Sequence, residues 1–129
     1  MPIYLAWETN EKRVLHQHFV GAWSLQDMIE TVDQTFAMIE QQEHAVSIIA
    51  DFSASDRAPA QILVAAQHAS RTLPHNLVCG VVISTSSTFN VLIRSVRTLF
   101  PVLRHHLYLA SDEDAAREIV TRASHLSSS

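Results

Sequence analysis

The sequence predicts an α/β domain built on one mixed sheet, in the order β-β-α-β-α-β-α-β-α. The sheet is mostly parallel, with an antiparallel strand at its N-terminal edge. Three observations carry that prediction. Two near-continuous apolar runs, Val46–Phe52 and Leu77–Ile83, have strand length, as expected for strands covered on both faces. Segments with helical apolar spacing separate the strands, and strands joined through helices run parallel. The first two strand-like segments are joined by a short polar turn, which makes them a hairpin.

Ile3 to Glu8 alternates Ile3, Leu5 and Trp7 against Tyr4, Ala6 and Glu8, and reads as the first strand. Asn10-Glu11-Lys12 is the turn, Val14 to Val20 is the second strand, and Gly21 punctuates its end. Ser24 opens the first helix as a capping-box variant: its oxygen accepts an orphan N–H and Asp27 reaches back. Leu25, Met28, Ile29, Val32, Phe36 and Ile39 form its apolar stripe. After the third strand, Val46–Phe52, comes a loop through Pro59. A second helix carries Ile62, Leu63, Ala66 and Ala69 and closes before Pro74. Leu77 to Ile83 is the fourth strand. Val91, Leu92, Val96, Leu99 and Phe100 mark a third helix, which Pro101 ends or kinks. His106 to Ala110 is the fifth strand. Ser111-Asp112-Glu113-Asp114 caps a last helix carrying Ala115, Ala116, Ile119, Val120 and Ala123. Residues 1–126 form one domain and 127–129 a disordered serine tail.

The chain has 129 residues, one domain's worth, and a domain of this size buries roughly two-thirds of its unfolded surface. Its 47% hydrophobic and 17% charged residues are those of a globular chain. A net charge of −4 argues against a general nucleic-acid binder. Lys12 is the only lysine, so the basic side is arginine, which pairs bidentately with carboxylates and phosphates. The one cysteine, Cys79, excludes an intramolecular disulfide and zinc-type CxxC spacing. No apolar run has the length of a membrane span, and the N-terminus lacks a leader pattern. The expected location is the cytoplasm.

The element order, with three short motifs, resembles the SpoIIAA-like fold of anti-sigma-factor antagonist (STAS) domains and Sec14-type lipid-binding domains. The motifs are Asp51-Phe52-Ser53, the Gly21-x-Trp23-Ser24 link, and Tyr108-Leu109-Ala110-Ser111-Asp112-Glu113-Asp114-Ala115. The last is similar to the F-x-(S/T)-x-E-E-A opening of the final helix in bacterial members. The resemblance covers Ile3 to about Ala123. The family's D-S-S-G phosphoacceptor falls on Asp56-Arg57-Ala58-Pro59-Ala60-Gln61, which has neither serine nor glycine. Ser53 and Ser55 come earlier, so the phospho-switch is not carried over by position.

Several residues are candidates for chemistry, each with a plainer reading beside it. Asp51 and Ser53, at the carboxyl end of the third strand, suit a ligand contact or a regulated loop, and equally an Asx or Ser turn. Ser84-Thr85-Ser86-Ser87-Thr88 opens the third helix. Ser84 and Ser86 there suit an anion, with Arg94 adding charge, and equally N-caps. His16 and His18 share a strand face and are weak metal candidates, with His105 or His106 as a third ligand; a polar face or a pH-sensitive contact is the simpler reading. Cys79 reads as an inert core thiol. Arg94, Arg97 and Arg104 suit an acidic partner or a solvated face.

No catalytic constellation stands out, and neither a metal nor a cofactor is expected. The leading expectation is a non-enzymatic STAS-like regulatory module that lacks the usual phosphoacceptor serine. It would act through a protein partner, as a homodimer, since helices on one face leave the other to be covered. The alternative is a Sec14-like carrier or sensor of a small apolar or anionic ligand, with its pocket between the third-strand loop and the Ser84–Thr88 link.

Overall fold

The computed structural model describes residues 3–56 and 62–128. Within them lie β1 (Ile3–Trp7), β2 (Val14–Gly21), α1 (Leu25–Glu40), β3 (Val46–Ser55) and α2 (Ile62–Thr72). There follow β4 (Leu77–Ile83), α3 (Ser87–Leu99), α4 (Pro101–Arg104), β5 (Leu107–Ala110) and α5 (Glu113–Ser128). The strands form one sheet in the order β1-β2-β3-β4-β5. β1 runs antiparallel to β2, and the remaining neighbours are parallel. The expected mixed α/β sheet with an antiparallel N-terminal edge is therefore present. Among the described residues no helix is long and apolar enough to cross a membrane.

Local chemistry explains the element ends. The Asp27 N–H donates to Ser24 Oγ at 3.1 Å and the Ser24 N–H to Asp27 Oδ2 at 3.0 Å, so the capping box at α1 is complete. The Ala115 N–H donates to Asp112 Oδ1 at 2.8 Å and caps α5. Gly21 ends β2 at φ +63°, a conformation that L side chains seldom adopt. Pro101 does more than end α3. It opens the four-residue α4, because a fixed φ and a missing N–H suit the first position of a helix. The fifth strand accordingly starts at Leu107, one residue later than expected. α5 takes in Ser127 and Ser128 of the expected serine tail.

A sequential strand order with crossovers of one hand puts every crossover helix on the same face. The main core contains Val32, Phe36 and Ile39 of α1, Ile62 of α2, and Phe89 and Ile93 of α3, against Leu15, Phe19, Ile48, Ala50 and Phe52. α5 follows the last strand and packs on the opposite face, where Ala116 and Val120 meet Ile49, Cys79, Val81 and Ala110. Its Arg117 pairs with Glu113 at 2.9 Å and reaches Glu8 beyond β1. The hydrogen bond to Glu113 is the largest of the causes that raise the Arg117 pKa. α5 leaves part of this second face open, with Tyr4, Ala6, His18 and Val20 exposed along β1 and β2.

Two polar devices hold the helix layer. Gln17 points to the core side of β2, where its Nε2 donates to Thr35 Oγ1 of α1 at 2.9 Å; both residues are buried. Asn76, just before β4, donates from Nδ2 to the carbonyls of Ile39, Gln42 and His44 at 2.8, 3.1 and 3.0 Å. It adds a side-chain cap beyond the Gln41 C-cap of α1, whose last turn carries no basic residue.

Candidate functional site

The site is built where β3 ends. β3 does not stop at Phe52 as its apolar run suggests; it continues to Ser55. His18 pairs with Asp51 and Val20 with Ala54, so Phe52 and Ser53 together face Phe19, and β3 bulges there. The Ser53 N–H donates to Asp51 Oδ1 at 2.8 Å, which satisfies a donor beside the bulge. The strand-end reading of Asp51 is thus corrected. It lies inside β3 on the α5 side of the sheet, 3.9 Å from His18 Nδ1, and Ser53 is the other half of its Asx contact. The bulge shifts the strand alternation by one. Ser55 rather than Ala54 therefore follows Phe52 on the helix side.

There, a cleft of about 260 Å³ opens between the end of β3 and the β4–α3 link. Phe52, Phe89 and Leu92 line it with Ser55, Asp56, Ser84, Ser86 and Thr88. Its position is the one expected for a carrier pocket. The hydroxyls of Ser55, Ser84 and Ser86 are engaged within the protein. Trp23 Nε1 donates to Ser55 Oγ at 2.7 Å, and Ser55 Oγ donates to the Asp56 carbonyl at 2.9 Å. Ser84 Oγ accepts from the Ser86 N–H at 3.1 Å, and Ser86 Oγ caps α3 through the Phe89 N–H at 3.3 Å. An aromatic cluster stiffens the wall: Phe52 stacks on Phe19 at 4.0 Å between centroids and meets Phe89 at 4.7 Å.

Behind the cleft lies an apolar cavity of about 140 Å³ between the sheet and the layer of α1, α2 and α3. Phe52 lines both spaces. The cavity arises because small side chains meet: Ala65, Ala66 and Ala69 of α2 face Ala50 and Gly80 of the sheet. Gln17 and His106 bring polar groups to its wall. The Gln17 amide is bound to Thr35, and His106 Nδ1 lies 3.2 Å from the Val78 carbonyl.

Of the sequence candidates, Ser55, Ser84 and Ser86 come together at the cleft; Asp51, Ser53 and Arg94 do not line it. Arg94 lies on the outer face of α3 beside Arg97, Thr98 and Arg104. The expected pairing of Arg94 with the Ser84–Thr88 hydroxyls is corrected, and the carboxylate of Asp56 at the cleft favours a donor over an anion there. His16 and His18 stack at 5.8 Å on the α5 side of the sheet, and His16 Nε2 is 3.4 Å from Glu8. His106 lines the cavity on the opposite side, so it is not a third ligand to that pair, and His105 caps the end of α4. Among the described residues no group of three or more His, Cys, Asp or Glu is placed to hold a metal ion. Burial pushes the Cys79 thiol above its usual pKa, partly offset by its contact with Ser47 at 3.6 Å. Residues 57–61, where the phosphoacceptor pattern is missing, lie outside the described residues.

The chain matches no protein-family model, and no match is found among curated proteins.

Proposed function

We propose that this chain is a non-enzymatic, SpoIIAA-like domain that binds a small, largely apolar ligand, as a carrier or sensor. The apolar cavity beneath α1–α3, behind a mixed apolar and polar cleft, carries that reading. Its volume of about 140 Å³ is close to the ~150 Å³ of an apolar cavity that stays dry and takes up benzene. A guest burying about six carbon groups gains about 5 kcal/mol at ~0.8 kcal/mol each, a Kd on the order of 0.2 mM. A polar end, if present, meets the Asp56 and Ser84–Thr88 rim as a hydrogen-bond donor.

Calorimetric titration with benzene and cyclohexane tests this on the wild-type chain and on Ala69→Leu, which fills the space. Saturable binding by the wild type, weakened in the variant, supports the reading. Equal binding by both, or none by the wild type, defeats it.

A second reading is the regulatory module acting by protein contact, and the open strip of Tyr4 and Val20 on β1 and β2 favours it. Tyr4 is 55% and Val20 43% exposed, on the face that α5 leaves uncovered. A homodimer buries this strip. Sedimentation of the wild type beside Tyr4→Glu decides it: dimer against monomer supports the reading, and a monomeric wild type removes it.

A further inference from the structure

The outer surface of α3 and α4 concentrates positive charge on a chain whose net charge is −4. Arg94, Arg97 and Arg104 line one cleft of about 320 Å³ with Thr98. Among the described residues, none of the three pairs with a side-chain carboxylate; the arginines that do are Arg13, Arg117 and Arg122. A guanidinium remains charged at any ordinary pH. The C-terminal end of a helix carries about half a negative charge, which offsets roughly one-sixth of the three positive charges.

Arg97 is held in place without being satisfied. Its guanidinium lies 5.8 Å from the centre of the Tyr108 ring, and Nη2 donates to the Arg104 carbonyl at 3.3 Å. Its Nε is buried and has no acceptor. An N–H buried without an acceptor carries a free-energy cost, so Arg97 is not fully satisfied by its partners within the fold. A guanidinium's fork of N–H donors is the geometry in which arginine grips two oxygens of a phosphate. An adjoining hollow shares Arg94 and Thr98 and carries the exposed Val91 and Leu99.

We propose that this cleft is a binding site for a phosphate group, separate from the apolar cavity and independent of what that cavity holds. The phosphate is either free or the headgroup of an anionic lipid; the chemistry is shared. Phosphorus NMR titration with inorganic phosphate at low salt reads the first source. Co-sedimentation with phosphatidylglycerol vesicles, with phosphatidylcholine as control, reads the second. Arg94→Gln with Arg104→Gln removes two exposed charges, and circular dichroism checks the fold. Arg97→Lys keeps the charge and loses the fork. Arg71→Gln, on the exposed end of α2, removes the same charge elsewhere. Binding in either arm should weaken about tenfold or more in the double variant, less in Arg97→Lys, and less than about twofold in Arg71→Gln. Absence of binding in both arms, or an equal loss in Arg71→Gln, overturns the proposal.

Discussion

Replacing Thr35 by valine tests how the helix layer is fastened to the sheet. Valine keeps the shape and removes the acceptor of the 2.9 Å bond from Gln17 Nε2. Thr35 is fully buried and Gln17 nearly so, so water does not readily replace the lost partner. A buried donor left alone costs about 1–3 kcal/mol. The reverse change, Gln17→Leu, is milder, because a helical threonine hydroxyl can turn to the carbonyl one turn earlier. It should cost less than about 1 kcal/mol. With both changes no polar group is stranded, and stability should return to within about 0.5 kcal/mol of the wild type. Urea unfolding measures this. At a slope of about 2 kcal/mol per molar, Thr35→Val lowers the midpoint by about 0.5–1.5 M. A neutral Thr35→Val, or a double variant as unstable as the sum of the singles, would refute the reasoning.

Asn76→Ala takes the Asn76 donor from the Gln42 and His44 carbonyls and from that of Ile39, which keeps the Gln42 N–H, and should cost about 2 kcal/mol in urea unfolding; an unchanged midpoint contradicts the cap. Gly80→Ala should stabilise by about 0.5–1 kcal/mol, because a Cβ there meets its nearest atoms at 3.9 Å and restricts the unfolded chain. The same change narrows the cavity, so benzene binding should weaken while the melting temperature rises. Cys79 is inaccessible and its pKa is raised by burial, so the folded chain should resist thiol reagents until urea unfolds it. The folded state holds that proton more tightly than the unfolded one. The stabilisation is therefore complete below the ordinary value of about 9.0 and is lost as pH rises above it, first in wild type and not in Cys79→Ala. Urea midpoints across alkaline pH check the difference.

The order of elements was legible in the sequence because each depends on a nearby signal. The capping box at Ser24 and Asp27, the Asp112 cap and the apolar runs of β3 and β4 operate within a few residues. The cleft at Ser55, Ser84 and Ser86 was also legible, since strand order fixes which strand ends meet. Gln17 left a trace too: it is a polar residue on the face of Leu15 and Phe19. Asn76 left none, because its three acceptors lie more than thirty residues away.

The sequence by itself determined the five strands, their helical connections and the absence of a disulfide, all set by local period, caps and residue count. The tertiary structure decided which way Asp51 points, because a bulge depends on how two strands fit side by side. It decided the cavity, because empty volume is a sum over side chains from several elements. It also decided that Arg94 joins Arg97 and Arg104 rather than the Ser84–Thr88 hydroxyls. Arg94 takes the outer face of α3 while Phe89, Ile93 and Val96 turn inward, and Pro101 restarts the chain as α4 with Arg104 at its end.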